Sequence, residues 1–240
     1  CKRATLPLRL PFTEDAAGAA LLAACVRMHL GIGNAIVFDY VELLENHGLR
    51  LLFLDLPEKV ESLSFHDAAN ANAFLVLGEG FNPEKQLFRI FVELANLYLF
   101  ANHGNLPVEE TRGTRRFTKW FSSFFLMPEE AVRATVRQLG VAPDAWSFDL
   151  LLRIKHRFGV SAETFAHRLE EVGALTPKLR QEFKARIQAH YAATRFGEPG
   201  DSHRTLSRNG RFGDLLLCAG NRTPPAPELE GIAERAGRKG

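Results

Sequence analysis

The residues whose types and spacing could do chemistry lie in the middle of one amphipathic segment. Its order is Val92-Glu93-Leu94-Ala95-Asn96. If the segment is helical, positions 92 and 96 lie on one face, because residues four apart are neighbours on a helix. A carboxylate on such a face can act as a general base when an activated nucleophile lies beside it. The segment therefore offers one acid, flanked by an aliphatic side chain and an amide.

The same spacing carries zinc chemistry in the H-E-x-x-H motif. There the two histidines hold Zn²⁺ and the glutamate activates the metal-bound water. In this chain Glu93 stands at the glutamate position, but the histidine positions are Val92 and Asn96. Valine cannot bind a metal, and an asparagine amide is a poor zinc ligand compared with imidazole. We therefore interpret Glu93 as a vestigial general base.

The surrounding sequence resembles the ImmA/IrrE family of zinc metallopeptidases over roughly residues 35–175. Four stretches carry the resemblance: Phe38-Asp39-Tyr40 before the expected sheet, Leu63-Ser64-Phe65 within it, Pro83-Glu84-Lys85-Gln86-Leu87-Phe88 at a helix start, and Phe121-Ser122-Ser123-Phe124-Phe125-Leu126-Met127-Pro128-Glu129-Glu130-Ala131-Val132. The resemblance implies an α+β fold: a zincin-like minimal metallopeptidase core with a small three-stranded sheet, followed by a helical, helix-turn-helix-like extension.

The resemblance also implies a third metal ligand near Phe117, where no residue suited to zinc stands. The former metal positions are thus Val92, Asn96 and Phe117, all changed together. Nearby positive charge would oppose a bound cation by Coulomb repulsion; it comes from Arg112, Arg115, Arg116 and Lys119. We expect a domain without metal or other cofactor, a pseudoenzyme in its family. Zinc is expected only if the alternative of an active peptidase holds.

A salvaged metal site is conceivable from Glu93, His66 and His103. The spacing does not support it, because His103 lies beyond the expected end of the helix that carries Glu93.

Hydrophobic periodicity and capping residues predict eight helices and three strands. The helices are expected at 16–29, 35–47, 83–100, 115–126, 129–139, 144–158, 161–172 and 177–194, and the strands at 49–56, 63–66 and 73–77. We predict a metallopeptidase-like α+β domain over 1–127 and a helical extension over 128–195. Residues 196–240 are expected to form a loosely ordered tail, in which one strand could form at 212–219.

Composition excludes little beyond extremes. The chain has 240 residues, is 46% hydrophobic and 24% charged, and has a formal net charge of +2, as an ordinary globular protein does. Cys1, Cys25 and Cys218 form no C-x-x-C pair, so neither a zinc ribbon nor a disulfide framework is indicated. A reducing cytoplasm fits this usage best. No apolar run approaches the roughly 20 residues of a membrane span, so no membrane partner is expected.

Residues 147–175 predict two helices joined by a tight turn, as in a helix-turn-helix. Their basic residues are candidate DNA contacts: Arg153, Lys155, Arg157, His167 and Arg168. Glu163 and Glu171 would face phosphates poorly, which favours a structural helix pair over a DNA reader.

Three functions remain open from the sequence. The first is a degenerate ImmA/IrrE-type domain in transcriptional or stress regulation, which binds a protein partner or small ligand in the former active-site cleft without proteolysis. The resemblance also implies DNA contact through a fused or internal helix-turn-helix. The second is an active zinc metallopeptidase that cleaves a repressor. The third is a DNA-binding module acting through residues 147–175.

Overall fold

A computed structural model describes residues 10–67, 72–105, 110–202, 206, 212–213 and 215–216. Within these ranges the elements follow in the order α1 (Ala16–His29), α2 (Tyr40–Asn46), β1 (Leu49–Leu54), β2 (Ser62–Asp67), β3 (Asn72–Gly78), α3 (Pro83–Asn102), α4 (Arg112–Leu126), α5 (Glu129–Leu139), α6 (Phe148–Phe158), α7 (Ala162–Glu171) and α8 (Pro177–Thr194). The α+β class is confirmed, with a small mixed sheet and a helical extension.

The sheet has the order β1-β3-β2, so β2 lies at one edge. β1 runs parallel to β3, and β2 runs antiparallel to it. The inner faces of β1 and β3 are apolar and buried, as Leu51 and Leu75 show. In the same rows β2 places polar side chains, because Ser64 pairs with Leu75 and Ser62 with Leu77. The inner face of the sheet therefore changes from apolar core to polar surface at β2.

α3 is the central helix of the core. Asn82 caps it by accepting a hydrogen bond from the Lys85 backbone N–H at 2.8 Å, and Pro83 occupies its first turn. The helix packs against β2, β3 and α4. Phe91 stacks on Phe125 of α4 with ring centroids 4.2 Å apart. This packing fixes the rotation of α3, and so decides which of its side chains face the edge of the sheet.

The extension consists of α5 to α8. α6 ends at Gly159, whose φ of 69° is left-handed and therefore suits glycine, and Ser161 caps α7 by accepting from the Thr164 backbone N–H. The core cluster continues without a break from the sheet into these helices through residues such as Phe158 and Phe165. The boundary predicted at residue 127 stays a prediction, since the two parts share this core.

Three expectations differ most from the structure. α2 begins at Tyr40 rather than at residue 35, so Phe38 and Asp39 precede the helix, and Asp39 caps it. Before the helix, the guanidinium of Arg27 donates hydrogen bonds to the backbone carbonyls of Gly33 and Ala35. α6 begins at residue 148 rather than 144, because a serine cap precedes it. Of the segment 212–219, where a strand could form, only residues 212–213 and 215–216 are described, and these are helical; the rest lies outside the described residues.

Candidate functional site

A cleft of about 890 Å³ lies between β2, α3 and the first turns of α4. One wall is the continuous stretch Lys59–His66, which leads into β2 and follows it. α3 contributes Val92, Glu93 and Asn96 to the cleft. The segment singled out by the sequence therefore faces this cleft.

Glu93 is held by three donors inside the cleft. The hydroxyl of Ser62 donates to its Oε1 at 2.6 Å, and the hydroxyl of Ser64 donates to its Oε2 at 2.8 Å. The Asn96 side-chain amide also donates to Oε2, at 3.1 Å. Only 5% of Glu93 is exposed. A buried carboxylate is costly unless it is hydrogen-bonded, so these donors explain how Glu93 is tolerated here.

Local structure brings these groups together. Ser62 and Ser64 are two apart on β2 and so point to the same face of the sheet, towards α3. Asn96 lies three residues after Glu93 on α3, which makes them neighbours on the helix surface. The two serines were not among the site residues predicted from the sequence. Their signal was the alternation Ser62-x-Ser64-x-His66, a polar row in a strand that packs against an acid-bearing helix.

The donor set of the cleft does not fit zinc. Val92 lines the cleft with an aliphatic side chain, and the Asn96 amide nitrogen is a donor to Glu93, not a metal ligand. Structural and catalytic zinc sites require three or four Cys, His or carboxylate ligands in tetrahedral geometry. Among the residues that the structure describes, no group of three or more His, Cys, Asp or Glu is arranged to hold a metal ion.

Phe117, which the resemblance places near the third metal ligand, does not face the cleft. Phe117 is fully buried and its ring stacks on Phe12, with centroids 5.1 Å apart, so it faces away from the cleft. Its neighbour Thr118 lines the cleft instead, and its hydroxyl donates to the Arg115 carbonyl at 3.2 Å. One residue turns a helix by about 100°, and this phase separates a core position from a cleft position.

The two histidines of the conceivable salvaged site, His66 and His103, lie in different environments. His66 lines the cleft, and its Nδ1 is buried without a hydrogen-bond partner within the described part of the chain. The His103 ring instead pairs with Glu14 at 2.5 Å, and neither residue lines the cleft. The structure does not bring Glu93, His66 and His103 together.

Charged side chains surround the mouth of the cleft. Arg89 forms an ion pair with Glu61, and partial burial lowers the pKa of the Arg89 guanidinium, while the nearby carboxylates of Glu93 and Glu110 act to raise it. Arg115, one of the four basic residues noted in the sequence, lies 3.7 Å from Glu110.

Two of the candidate DNA contacts, Lys155 and Arg168, are buried. Lys155 has no exposed surface and lies between Glu198, at 3.1 Å, and Glu84, at 3.7 Å. Arg168 is 6% exposed; it donates to the Met127 carbonyl at 3.1 Å and lies over the Phe124 ring. Both side chains point into the protein, where these partners lie.

The other three candidates are exposed: Arg153, Arg157 and His167. The His167 ring faces Glu170 and Glu171 on its own helix, which is a poor surface for phosphate. The Glu198 carboxylate also accepts from the Ala162 backbone N–H at 2.7 Å, so an internal acid already occupies the start of α7. The helix pair 147–175 is thus engaged with its own chain.

Fold and cleft together define an α+β, zincin-like core with a helical extension. The chain belongs to the IrrE N-terminal-like domain family, whose model matches residues 44–170, more than half of the chain. This confirms the family inferred from the sequence.

Other comparisons add context. Among solved structures, a Mycobacterium tuberculosis transcriptional regulator is matched at 21% identity, with a TM-score of 0.43, over 63% of this chain and 46% of that one. The chain thus spans less than half the length of that protein. A search among curated proteins finds no match. Among the described helices, none is both long enough and apolar enough to cross a membrane.

Proposed function

We propose that this protein is a binding module of the IrrE type that acts in regulation and takes an extended segment of a partner protein along β2 without cutting it. Family membership supports the regulatory part of the proposal. The single observation that carries the binding mode is that β2 forms a wall of the cleft and is an edge strand, with no further strand beside it among the described residues.

The hydrogen-bond pattern identifies which backbone groups this edge offers. In an antiparallel pair, hydrogen-bonded and non-hydrogen-bonded residues alternate. The Gly78 N–H donates to the Glu61 carbonyl at 3.0 Å, so Glu61 belongs to the bonded set. Residues one position further along, Ser62, Ser64 and His66, then direct their N–H and C=O groups away from β3 and towards the free edge.

An extended peptide can use such groups by adding to the sheet as a further strand. The cleft follows this edge, because all residues from Lys59 to His66 line it. Main-chain bonds would supply affinity, while the side chains of the cleft would select the sequence. A volume of about 890 Å³ is enough for several side chains of such a segment.

The chemistry of the cleft supports binding without cleavage. A general base must be within reach of an activated nucleophile. Both oxygens of Glu93 instead accept bonds from Ser62 and Ser64, and Val92 and Asn96 do not fit zinc. The segment would therefore be held beside a carboxylate that is already satisfied.

A single proline substitution in β2 tests whether a peptide binds along this edge. Ser64→Pro removes the N–H that faces the free edge and leaves the β3 ladder intact, since proline is tolerated on that side of an edge strand. Ser64→Ala is the matched control, because it removes the same hydroxyl from Glu93 but keeps the N–H. Dodecapeptides selected from a random library on the unchanged protein serve as probes, with binding measured by fluorescence anisotropy and folding by thermal melting.

We expect Ser64→Pro to weaken binding about tenfold relative to Ser64→Ala, from the loss of one backbone hydrogen bond and the added steric clash. Equal binding by both variants, or a library that yields no binder, would overturn the proposal. Elemental analysis provides a separate check: stoichiometric zinc that is lost in Glu93→Gln would favour the active peptidase instead.

A further inference from the structure

We infer that the segment taken by the cleft is acidic, an inference that rests on the proposed function. It comes from the charges lining the cleft and from which of them already have partners. Acidic and basic residues are nearly balanced in number there, so the partners decide what an incoming segment meets.

The buried acid of the cleft is already satisfied. Glu93 accepts three hydrogen bonds from neighbouring side chains, which leaves it little capacity to hold a cation or a basic side chain.

The acids at the mouth are paired as well. Glu61 receives both Lys85, at 2.7 Å, and Arg89. Glu110 has Arg115 at 3.7 Å, where both side chains are largely exposed. The three carboxylates that line the cleft therefore all have partners within the chain.

Two cations of the lining, Lys59 and Lys119, have no such partner among the described residues. Lys59 lies in the turn before β2, and Lys119 lies on α4, so they belong to opposite walls. Both are exposed, and neither forms an ion pair or hydrogen bond within the described ranges. A segment that binds along β2 in this cleft would therefore meet both lysines.

The direction of α4 adds to the same potential. Thr114, Arg115, Thr118 and Lys119 line the cleft, so the first two turns of this helix border it. The N-terminal end of a helix carries partial positive charge and favours anions nearby. A basic segment would be repelled here, and a neutral one would crowd the two lysines without pairing them.

Three end-blocked dodecapeptides test the inference. Each alternates threonine, for extended conformation, with glutamate, glutamine or lysine. Their affinities are measured by fluorescence anisotropy at low and at physiological salt. The test variant is Lys59→Glu with Lys119→Glu. The control is Arg153→Glu with Lys178→Glu, which changes net charge equally at exposed residues outside the cleft.

We expect the glutamate peptide to bind about tenfold more tightly than the glutamine peptide, since each exposed ion pair contributes a factor of about two to five. The lysine peptide should bind least. Reversal at Lys59 and Lys119 should abolish the preference for glutamate, and the control variant should keep it. Higher salt should narrow the difference.

Each failure has a separate meaning. Equal binding of the glutamate and glutamine peptides would overturn the acidic preference and leave the edge-binding mode standing. A preference that survives reversal at Lys59 and Lys119 would overturn the assignment to these lysines. Binding of none of the three peptides would overturn both proposals. A single-stranded oligonucleotide of equal charge that binds at these lysines, where the glutamate peptide does not, would replace the acidic segment by a nucleic acid.

Discussion

At the scale of single residues, the buried charges of the extension are the most constrained groups outside the cleft. Lys155 lies between Glu198 and Glu84, and the Glu198 carboxylate also accepts the hydroxyl of Tyr191 at 3.0 Å. Burial raises the pKa of the Tyr191 phenol, and the neighbouring Glu198 carboxylate adds to this effect. Lys155, a candidate DNA contact in the sequence, thus links α6 to α3 through Glu84 and to the segment after α8 through Glu198.

Removing the Lys155 ammonium group should lower the free energy of unfolding far more than removing the exposed Arg153 guanidinium. Lys155→Met leaves two buried carboxylates without their counter-ion, which should cost about 3–5 kcal/mol of unfolding free energy. Arg153→Met, two residues away on the same helix but exposed, should change it by less than about 0.5 kcal/mol. Urea denaturation followed by circular dichroism measures both. Similar midpoints for the two variants would contradict the buried network.

The sequence predicted part of the site at this scale. Glu93 and its changed neighbours follow from helix spacing, which is local. The donors Ser62 and Ser64 lie 31 and 29 residues before Glu93 and meet it only through the packing of β2 on α3. The burial of Lys155 likewise depends on acids that lie far away in the chain. Such contacts are set by tertiary packing, which a pattern of residue types does not contain.

At the scale of elements, some helix boundaries followed from the sequence and others did not. α1, α5 and α8 begin and end where the sequence predicts, as at Asp15 before α1 and Thr176-Pro177 at the start of α8. The failure at α2 arose because Arg27 binds carbonyls of the preceding segment, which no local signal shows. The rotation of α4 about its axis could not be predicted either: Phe117 faces the core, and its neighbour Thr118 lines the cleft.

The cap of α1 should give a measurable acid dependence. Asp15 accepts from the Gly18 N–H at 2.7 Å, and this bond, followed by the one from Thr13, lowers the pKa of its carboxyl below the ordinary value of 3.8. A lowered folded-state pKa gives stability that is complete above the unfolded value and is lost as pH falls through the folded one. Asp15→Asn keeps a capping oxygen but cannot titrate.

The stability of the unchanged protein relative to Asp15→Asn should therefore be constant near neutral pH and fall below about pH 4. Thermal melting between pH 2.5 and 7 measures this difference. Parallel curves for the two proteins over the whole range would show that the charge of Asp15 does not contribute.

At the scale of the whole molecule, the zincin-like core has hydroxyl and amide donors around Glu93 in its cleft. α3, which carries Glu93, packs against the sheet and against α4. Zinc ligands introduced at the cleft positions of α3 and α4 therefore test whether this core can hold the metal.

The variant Val92→His, Asn96→His, Thr118→Glu should bind about one zinc per chain, since three such ligands meet the usual requirement. It should remain without peptidase activity as long as Ser62 and Ser64 occupy the oxygens of Glu93. Adding alanine at both serines frees the carboxylate for the metal-bound water. Elemental analysis and a fluorogenic peptide assay follow the two steps. Hydrolysis before the serines are changed would show that their bonds do not restrain Glu93.

The edge of β2, which no other described strand covers, has a further consequence for the amount of protein that a cell can maintain. An unpaired edge strand is also a template for other copies of the chain, so two molecules could join their sheets through β2. A partner that occupies the edge would protect against this route to aggregation. Steady-state abundance of the module should then rise and fall with the supply of its partner, without any change in its own synthesis.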